Sequence, residues 1–326
     1  MGESFLVLGC GSIGLRHIRN LKTLGIDQVY AHDPAPAARS AAEGAGATLV
    51  ESVEAGLAQS PTAVLVCAPP HLHLDVASAA VKAGAHVFIE KPVSHTLENL
   101  DSLLDGAEDA GVTVMIGYNL RFHAGLRKLQ ELAQDGLAGT ILSLRAEYGQ
   151  YLPTWRPATD YRNGYIVRHE TGGGIILEES HEFDYIEWIG GEIKSVFARA
   201  GQLSDLEMEA EDTALIVLEL EGGRLAEIHV DCVQRGYSRS CKLIGSEATL
   251  YWDYSKGVTV IRDGVEDEFH PIVPDPNDMY RDEIAHFVEC VRGHAQPPVH
   301  GRAAKRVLEV VLAAKLSAQE RREVIL

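Results

Sequence analysis

Hydrophobic and polar positions follow two different patterns along the chain. Over about the first 117 residues, short apolar runs alternate with helical patterns. The run Ser4–Gly9 is almost continuously apolar, which is typical of a parallel strand buried on both faces. The other predicted strands are Gln28–His32, Thr48–Val50, Ala63–Cys67, His86–Ile89 and Val112–Ile116, and the predicted helices are Ser12–Leu24, Ala35–Glu43, Leu72–Lys82 and Leu97–Ala110. Strands and helices that alternate in this way predict a doubly wound parallel sheet.

The pattern changes near Tyr118–Arg121. From Ile193 to Arg262 about six strand-like runs are separated by Gly, Asp and Ser turns, which predicts a large, mainly antiparallel sheet. The other predicted elements here are a helix at Ala124–Gln134, a strand at Ile141–Gln150, a polar, aromatic-rich loop at 151–171, and helices at Ile175–Ile189, Pro276–Arg292 and Arg302–Arg321. We therefore predict an α/β protein with an N-terminal Rossmann domain at 1–120 and a C-terminal α+β domain at 121–326.

Composition and charge narrow the functional classes. A chain of 326 residues with 46% hydrophobic and 23% charged residues is typical of a soluble protein with two domains. Its net charge of −18 disfavours non-specific binding to nucleic acid or to an anionic membrane. No stretch approaches the roughly 18 apolar residues that a membrane span requires. The five cysteines are scattered and without CxxC spacing, which indicates reduced thiols and a cytoplasmic location.

The first strand leads into a glycine-rich turn. Gly9, Cys10, Gly11, Ser12, Ile13 and Gly14 form a G-x-G-x-x-G sequence that opens a predicted helix. In dinucleotide-binding folds such a turn places the pyrophosphate on the helix N-terminus. Asp33 ends the second predicted strand, where a carboxylate can bind both ribose hydroxyls of NAD and repel the 2′-phosphate of NADP. The pattern favours NAD over NADP, and the alternative is a glycine-rich turn that holds no cofactor.

A second candidate lies after the strand His86–Ile89. Glu90, Lys91 and Pro92 fall at the carboxyl end of that strand, where parallel sheets place their ligand sites. Lys91 could supply a fixed cation beside a substrate hydroxyl or carbonyl group. A surface Lys–Glu pair beside a turn proline is the structural alternative.

These stretches resemble the Gfo/Idh/MocA oxidoreductases, named for glucose–fructose oxidoreductase and inositol dehydrogenase. The matching text is GCGSIGLRHIRNL at 9–21, VLVCAPPHLHLDVASAAVKAGAHVFIEKP at 64–92 and VMIGYNLRFH at 114–123. The resemblance implies a bound nicotinamide dinucleotide, a cis-like bend at Lys91–Pro92 and Lys91 at the catalytic centre. It also implies cofactor contacts from further residues: Ala68, Pro69, Pro70, His73, Glu90 and Asn119, the last near nicotinamide or substrate.

The second half carries one further motif. Gly172, Gly173 and Gly174 are followed by Glu178, His181 and Asp184. On one continuous helix, Glu178, His181 and Tyr185 would lie within about 60° of one another and could face a cleft. The family pattern places an acid and then a histidine after the glycines, so the resemblance implies His181 as general base and Glu178 as a positioning group. Many members carry Asp at the position of Glu178, with a four-residue step to the histidine.

A metal is the alternative for this acidic stretch. Carboxylates and imidazole are common ligands, and Glu178, Glu179, His181, Glu182 and Asp184 lie close together in sequence. However, the stretch contains no HExxH and no second histidine at helical spacing. We therefore predict no metal site.

The loop at 151–168 combines aromatic and basic residues. Aromatic rings offer flat apolar faces, and arginines offer donor pairs for carboxylate or phosphate. The candidate substrate-binding residues are Trp155, Arg156, Tyr161, Arg162 and Arg168. This combination suits a sugar that carries an acid or a nucleotide diphosphate, whereas the alternative is a solvated loop at a subunit contact.

Together these features predict an NAD-dependent oxidoreductase. It would oxidise a secondary alcohol of a sugar, cyclitol or (nucleotide-)sugar derivative, or catalyse the reverse reduction. The resemblance also implies a homodimer or homotetramer. The alternative from another class is a non-catalytic NAD-binding regulator on the same fold, a role that the presence of both Lys91 and His181 disfavours.

Overall fold

The computed structural model describes residues 2–157, 159–272 and 275–326. Their contacts divide the chain into two compact units. The first unit comprises the chain up to Asn119 together with Asn277–Leu308, and the second comprises Leu120–Pro276 together with Glu309–Leu326. The break at Asn119 lies beside the boundary predicted at residue 120. The segment Asn277–Leu308 belongs to the first unit, although the predicted division at 121–326 placed it in the C-terminal domain.

The first unit contains a parallel sheet. Among its described residues, six strands lie in the order β3-β2-β1-β4-β5-β6, which is the order of dinucleotide-binding doubly wound sheets. The strands are β1 (Ser4–Leu8), β2 (Gln28–His32), β3 (Thr48–Leu49), β4 (Ala63–Val66), β5 (His86–Glu90) and β6 (Val114–Gly117). The helices are α1 (Ser12–Thr23), α2 (Pro36–Gly44), α3 (Val53–Leu57), α4 (His73–Lys82), α5 (Leu100–Ala110) and, after the second unit, α9 (Asp278–Val291). The predicted fold class is confirmed.

Continuous apolar runs form the centre of this sheet. Phe5 and Phe88 are completely buried, and both pack against Phe287 of α9. Helix α9 also packs along α1. The first unit therefore uses a helix from near the chain's end to complete its core. Sequence periodicity did not predict α3, since a helix of five residues is too short to show a repeat.

The second unit contains a mixed sheet. Its described strands lie in the order β14-β13-β12-β11-β7-β10-β9-β8-β15, and β7 and β10 pair in parallel within an otherwise antiparallel arrangement. The strands are β7 (Ile141–Gly149), β8 (Ile193–Gly201), β9 (Thr213–Leu220), β10 (Arg224–Asp231), β11 (Ser238–Gly245), β12 (Thr249–Asp253), β13 (Gly257–Ile261), β14 (Glu268–Pro271) and β15 (Val324–Ile325). The helices are α6 (Ala124–Gln134), α7 (Ile175–Glu178) and α8 (His181–Gly190), and the boundary after Leu308 falls within α10 (Gly301–Glu320).

One face of the mixed sheet packs against helices. In β9 buried and exposed residues alternate along the strand, and Trp252 of β12 is the largest of the fully buried side chains. The helix predicted at Ile175–Ile189 is instead two helices, because the backbone of Glu179 leaves the helical region. Tyr185 is completely buried, so the prediction that it faces a cleft together with Glu178 and His181 is wrong for Tyr185. Within the described ranges we find no helix both long and apolar enough to cross a bilayer.

Candidate functional site

The glycine turn of the first unit requires its glycines. Gly9 has a φ of +92°, and a Cβ there would lie 2.5 Å from the carbonyl oxygen of Cys67. A Cβ on Gly14 would lie 1.9 Å from the carbonyl oxygen of Gly9. A side chain at Gly14 would therefore force α1 away from β1, and one at Gly9 would force the turn away from the residues that follow β4. This close approach explains two of the three glycines without reference to a ligand.

Gly11 serves a different purpose. It is the N-cap of α1, no side chain caps the helix there, and a Cβ on Gly11 would meet no atom within 4 Å. The first turn, which begins with Ser12 and Ile13, also carries no acidic residue. The helix N-terminus thus presents amide groups toward open space and fits the pyrophosphate of a dinucleotide.

Asp33 is held beside this turn. Its carboxylate accepts a hydrogen bond from the Cys10 amide at 2.7 Å and another from the Ala35 amide at 2.8 Å. These bonds leave further lone pairs on the carboxylate oxygens, which suits ribose hydroxyls. Burial raises the pKa of the Cys10 thiol to about 12, so Cys10 stays protonated beside Asp33.

The loops that follow β4 and β5 are joined by a buried histidine. The His73 ring lies with Nε2 2.7 Å from the Ala68 carbonyl oxygen and Nδ1 2.9 Å from that of Pro92. Burial lowers the pKa of His73, whereas the hydrogen bonds to the two carbonyl oxygens act in the opposite direction, because a ring donates to both oxygens only when it carries both protons. The ring therefore connects the Ala68 loop to the segment after Lys91, a role that the sequence did not indicate.

The other cofactor candidates of the first unit lie around these loops. Pro70 begins a short 3₁₀ turn after Pro69, and the Lys91–Pro92 peptide bond is cis, as the resemblance implied. Glu90 pairs with His17 of α1, with 2.6 Å between Oε1 and Nε2. Asn119 is buried at the end of the unit. Contacts of these residues with a cofactor remain predictions.

In the second unit, Glu178 and His181 flank the break between α7 and α8. Glu178 is the last residue of α7 and accepts a short hydrogen bond from the Tyr165 hydroxyl. His181 is the first residue of α8 and is 6% exposed. Their predicted catalytic roles are not tested by this geometry alone.

Arg239 is the principal charged residue that sequence reasoning missed. It lies on β11, where its guanidinium pairs with Glu179 and, at 3.1 Å from its Nε, with Glu182. The ring of Tyr148 covers it, with 4.3 Å between the ring centroid and Cζ. Because alternate residues of a strand share a face, Arg239 lies on the same face as the buried Cys241. An arginine on the buried face of a predicted strand was the sequence signal that could have identified a buried ion pair.

A second ion pair anchors α8. Arg121 donates two hydrogen bonds to Asp184, from Nε at 2.8 Å and Nη2 at 2.9 Å, and its guanidinium stacks on Trp188. Asp184 is 1% exposed, so this bidentate pair is largely withdrawn from water. Together with Arg239, it fixes both ends of the acidic stretch around His181. The carboxylates of Glu179, Glu182 and Asp184 thus have arginine partners.

The loop at 151–168 forms short 3₁₀ turns. Trp155 donates to the Gln150 carbonyl oxygen and packs edge-on against Tyr148. Arg162 is paired with Asp160 and Glu207, and the Tyr161 hydroxyl accepts from the Glu207 amide.

The remaining basic residues of the loop differ from Arg162. Arg156 and Arg168 are exposed. Burial and the neighbouring Glu178 raise the pKa of Tyr165 well above its usual value, and the charge of Arg156 acts in the opposite direction. The charge of Arg156 therefore acts on the Tyr165–Glu178 pair.

A search of the described residues for side chains in metal-ligand geometry finds one group. It consists of His17, Glu90 and Glu283, all in the first unit. The acidic stretch around His181, the alternative considered from sequence, does not form such a group among the residues described.

The fold and the glycine turn define a two-domain oxidoreductase that binds a nicotinamide dinucleotide. Family models agree over most of the chain: residues 4–118 match the Gfo/Idh/MocA oxidoreductase family, NAD-binding Rossmann fold, and residues 126–251 match the Gfo/Idh/MocA C-terminal domain. The chain belongs to the Gfo/Idh/MocA family and is an NAD-dependent oxidoreductase.

Individual relatives span the whole chain. The myo-inositol 2-dehydrogenase of Thermotoga maritima is 31% identical, covering 98% of this chain and 97% of its own. A probable dehydrogenase of known structure from the same organism is 28% identical with a TM-score of 0.82, covering 99% and 98%. The WlbA dehydrogenase of Chromobacterium violaceum, solved with NADH and UDP-GlcNAcA, is 25% identical with a TM-score of 0.85, covering 100% and 96%.

Replacing Arg239 should destabilise the second unit strongly. Arg239→Ala leaves Glu179 and Glu182 as buried carboxylates without their cation, and the free energy of unfolding should fall by about 3–5 kcal/mol. Urea denaturation followed by circular dichroism measures this change. Lys256→Ala is the control, because Lys256 pairs with Asp253 at the surface and its loss should leave the free energy of unfolding nearly unchanged. Equal effects of the two substitutions would contradict a central role for Arg239.

Proposed function

We propose that this NAD-dependent oxidoreductase oxidises a secondary alcohol of a cyclitol, sugar or sugar derivative, or reduces the corresponding ketone. The chain-long match to a myo-inositol 2-dehydrogenase carries the proposal. A hydride-transfer screen tests it, with NAD and a panel of cyclitols, sugars and nucleotide sugars. Absence of turnover across the panel, with NAD bound, would instead favour a non-catalytic regulator.

The proposed catalytic roles follow from chemistry. When bound, the nicotinamide accepts or donates the hydride. His181 would accept the hydroxyl proton, since imidazole is an effective base near neutral pH. Lys91 would stabilise the negative charge that develops on the substrate oxygen. Glu178 would act as a positioning group, supported by its hydrogen bond from the Tyr165 hydroxyl.

The position of Arg156 supports an acidic substituent on the substrate. Its charge acts on the Tyr165–Glu178 pair, whereas Arg162 is occupied by two carboxylates. Trp155 and Tyr161 would contribute aromatic surface to the same substrate, with Arg168 as a further anion contact. We further propose a reducing, cytoplasmic setting, because all five cysteines are free thiols.

The outer face of the mixed sheet supports a homo-oligomer. Leu215 and Val217 of β9 are 56% and 49% exposed, and Leu225 of the adjacent β10 is 55% exposed. Exposed apolar residues on neighbouring strands are a common feature of subunit interfaces. We propose that this face binds a second copy of the chain, as a homodimer that could pair further into a tetramer.

Asp33 should set the cofactor preference. Asp33→Ser removes the carboxylate that would bind the ribose hydroxyls and repel a 2′-phosphate, so the preference for NAD over NADP should narrow or reverse. Calorimetric titration with both dinucleotides measures it. A preference of the unmodified protein for NADP would refute the assignment.

His181 should matter for turnover more than for cofactor binding. His181→Asn should lower kcat by about 10²–10⁴, the usual contribution of general acid–base catalysis. NAD affinity should stay within a few-fold, because the substitution leaves the glycine turn intact. Activity of the unmodified enzyme should fall toward acidic pH, since an imidazolium cannot accept a proton, and the variant should lose that dependence.

Lys91→Ala should also reduce kcat, through loss of the positive charge near the reacting oxygen. Nearly normal kcat in His181→Asn would remove His181 from the mechanism. In that case Lys91 and Glu178 become the candidates for proton acceptor.

Arg156 and Arg162 should respond differently. Arg156→Ala should raise KM for an acidic substrate roughly 10- to 150-fold, equivalent to about 1.5–3 kcal/mol for a hydrogen bond to a charged group. Arg162→Ala is the matched control and should leave KM nearly unchanged, since its guanidinium already has carboxylate partners. Steady-state kinetics measure both, and an unchanged KM in Arg156→Ala would favour a neutral substrate.

The oligomer should depend on the exposed strand residues. A charge in the middle of the proposed interface should be destabilising, so Val217→Glu should convert the oligomer to monomer. Analytical ultracentrifugation measures the mass. Leu203→Glu is the control, because Leu203 is 76% exposed and lies outside the strands. A monomeric unmodified protein would refute the proposal.

A further inference from the structure

A buried carboxyl group lies close to Glu90, the residue before Lys91. Glu283 of α9 is completely buried, and neither of its side-chain oxygens has a hydrogen-bond partner among the residues that the structure describes. Ligand atoms of His17, Glu90 and Glu283 all lie within 4.8 Å of one another. The three residues come from α1, β5 and α9, which are separate elements of the first unit. We refer to them as the buried triad.

The charges around Glu283 favour its neutral form. The titratable groups that face it are His17 from α1, Glu90 from β5 and Cys67 at the end of β4. His17 is bonded to Glu90, and burial raises the pKa of the Cys67 thiol, which therefore stays uncharged. Burial, together with the negative charge of Glu90, raises the pKa of Glu283 well above its ordinary value.

A neutral Glu283 would change what Glu90 can do. Glu283 is buried and Glu90 is 13% exposed, and two carboxylates this close cannot both ionise there without a large cost, so one proton between them is the favourable state. A protonated carboxyl group is a hydrogen-bond donor, and the oxygens of Glu90 are acceptors. Glu90 would then be held from two sides, by His17 and by Glu283.

We propose that Glu283 is a positioning residue that remains a neutral carboxylic acid and shares its proton with Glu90. Through Glu90 it fixes the segment that carries Lys91 relative to α1, the helix whose N-terminus is suited to the dinucleotide pyrophosphate. The role in fixing the Lys91 segment rests on the proposed roles of Lys91 and the glycine turn. The protonation state of Glu283 is independent of those roles.

Infrared difference spectroscopy tests the proton directly. The unmodified protein at neutral pH should show the carbonyl band of a protonated carboxylic acid, and Glu283→Gln should lack it. Glu289→Gln is the matched control, since Glu289 lies on the same helix and pairs with Arg292 at the surface. It should leave the band unchanged. A spectrum without the band in the unmodified protein would overturn the proposal.

The pH dependence of unfolding provides a second readout. Because the pKa of Glu283 is raised in the folded state, the folded state binds the proton more tightly than the unfolded state. The folding equilibrium constant should therefore fall by up to tenfold for each pH unit above about 4.5, until Glu283 itself ionises in the folded state. Glu283→Gln should lack this component. Identical pH profiles for the unmodified protein and Glu283→Gln would overturn the proposal.

Conservative rescue separates positioning from mere packing. The amide of Glu283→Gln can still donate to Glu90, so NAD affinity and kcat should stay within about threefold of the unmodified enzyme. Glu283→Leu fills similar space without a donor, and should weaken NAD binding or lower kcat by about tenfold or more. Equal losses in the two variants would overturn the proposed donor role. If Glu283→Leu changed neither quantity, the positioning role would fail while the proposed oxidoreductase function stood.

A divalent cation is the other way to stabilise these side chains. Metal analysis of the purified protein distinguishes the two, since the neutral-acid proposal expects no stoichiometric metal. The other outcome is one equivalent of a divalent metal that is lost in Glu283→Gln but retained in Glu289→Gln. That result would overturn the shared proton and show that a cation stabilises these side chains instead.

Discussion

The architecture of the first unit depends on how closely α1 approaches β1. A Cβ at Gly14 would lie 1.9 Å from the Gly9 carbonyl oxygen, so the helix can start where it does only because that atom is missing. The same approach directs the amides of the first turn into open space and leaves Asp33 within reach of the Cys10 amide. The chemistry of the cofactor site thus depends on a steric constraint between two backbone segments, the turn after β1 and the start of α1.

Buried charge is organised differently in the two units. In the second unit, arginines neutralise the acidic stretch around His181: Arg239 contacts Glu179 and Glu182, and Arg121 contacts Asp184. In the first unit, no described residue forms a hydrogen bond with either side-chain oxygen of Glu283. Arginine pairing fixes geometry through directional bonds, whereas an unpaired buried carboxyl group is best accommodated without its charge. The buried carboxyl groups near the proposed catalytic residues are therefore stabilised in two ways: by arginine pairing in the second unit and, as proposed, by protonation in the first.

The sequence predicted the regular elements well because their signals are local. Apolar runs and glycine turns identified the parallel strands to within a few residues, and six described strands of the mixed sheet, β8 to β13, lie between Ile193 and Arg262 where about six were predicted. The break between α7 and α8 was missed, since the pattern from Ile175 to Ile189 suits a helix throughout and tertiary contacts decide the backbone at Glu179. The partners of Arg239 and Glu283 were missed for a related reason. Each lies far along the chain from the residues that it faces, and no spacing rule connects them.

The discontinuity of the first unit has a consequence for biosynthesis. Phe5 and Phe88 pack against Phe287, and α1 packs along α9. This core therefore stays incomplete until the ribosome has translated residues 120–276 of the second unit and then α9. At roughly 5–20 residues per second, that delay is on the order of ten seconds or more. During this time the nascent parallel sheet exposes apolar surface that chaperones can bind. The first unit is therefore completed only after most of the second unit has been translated.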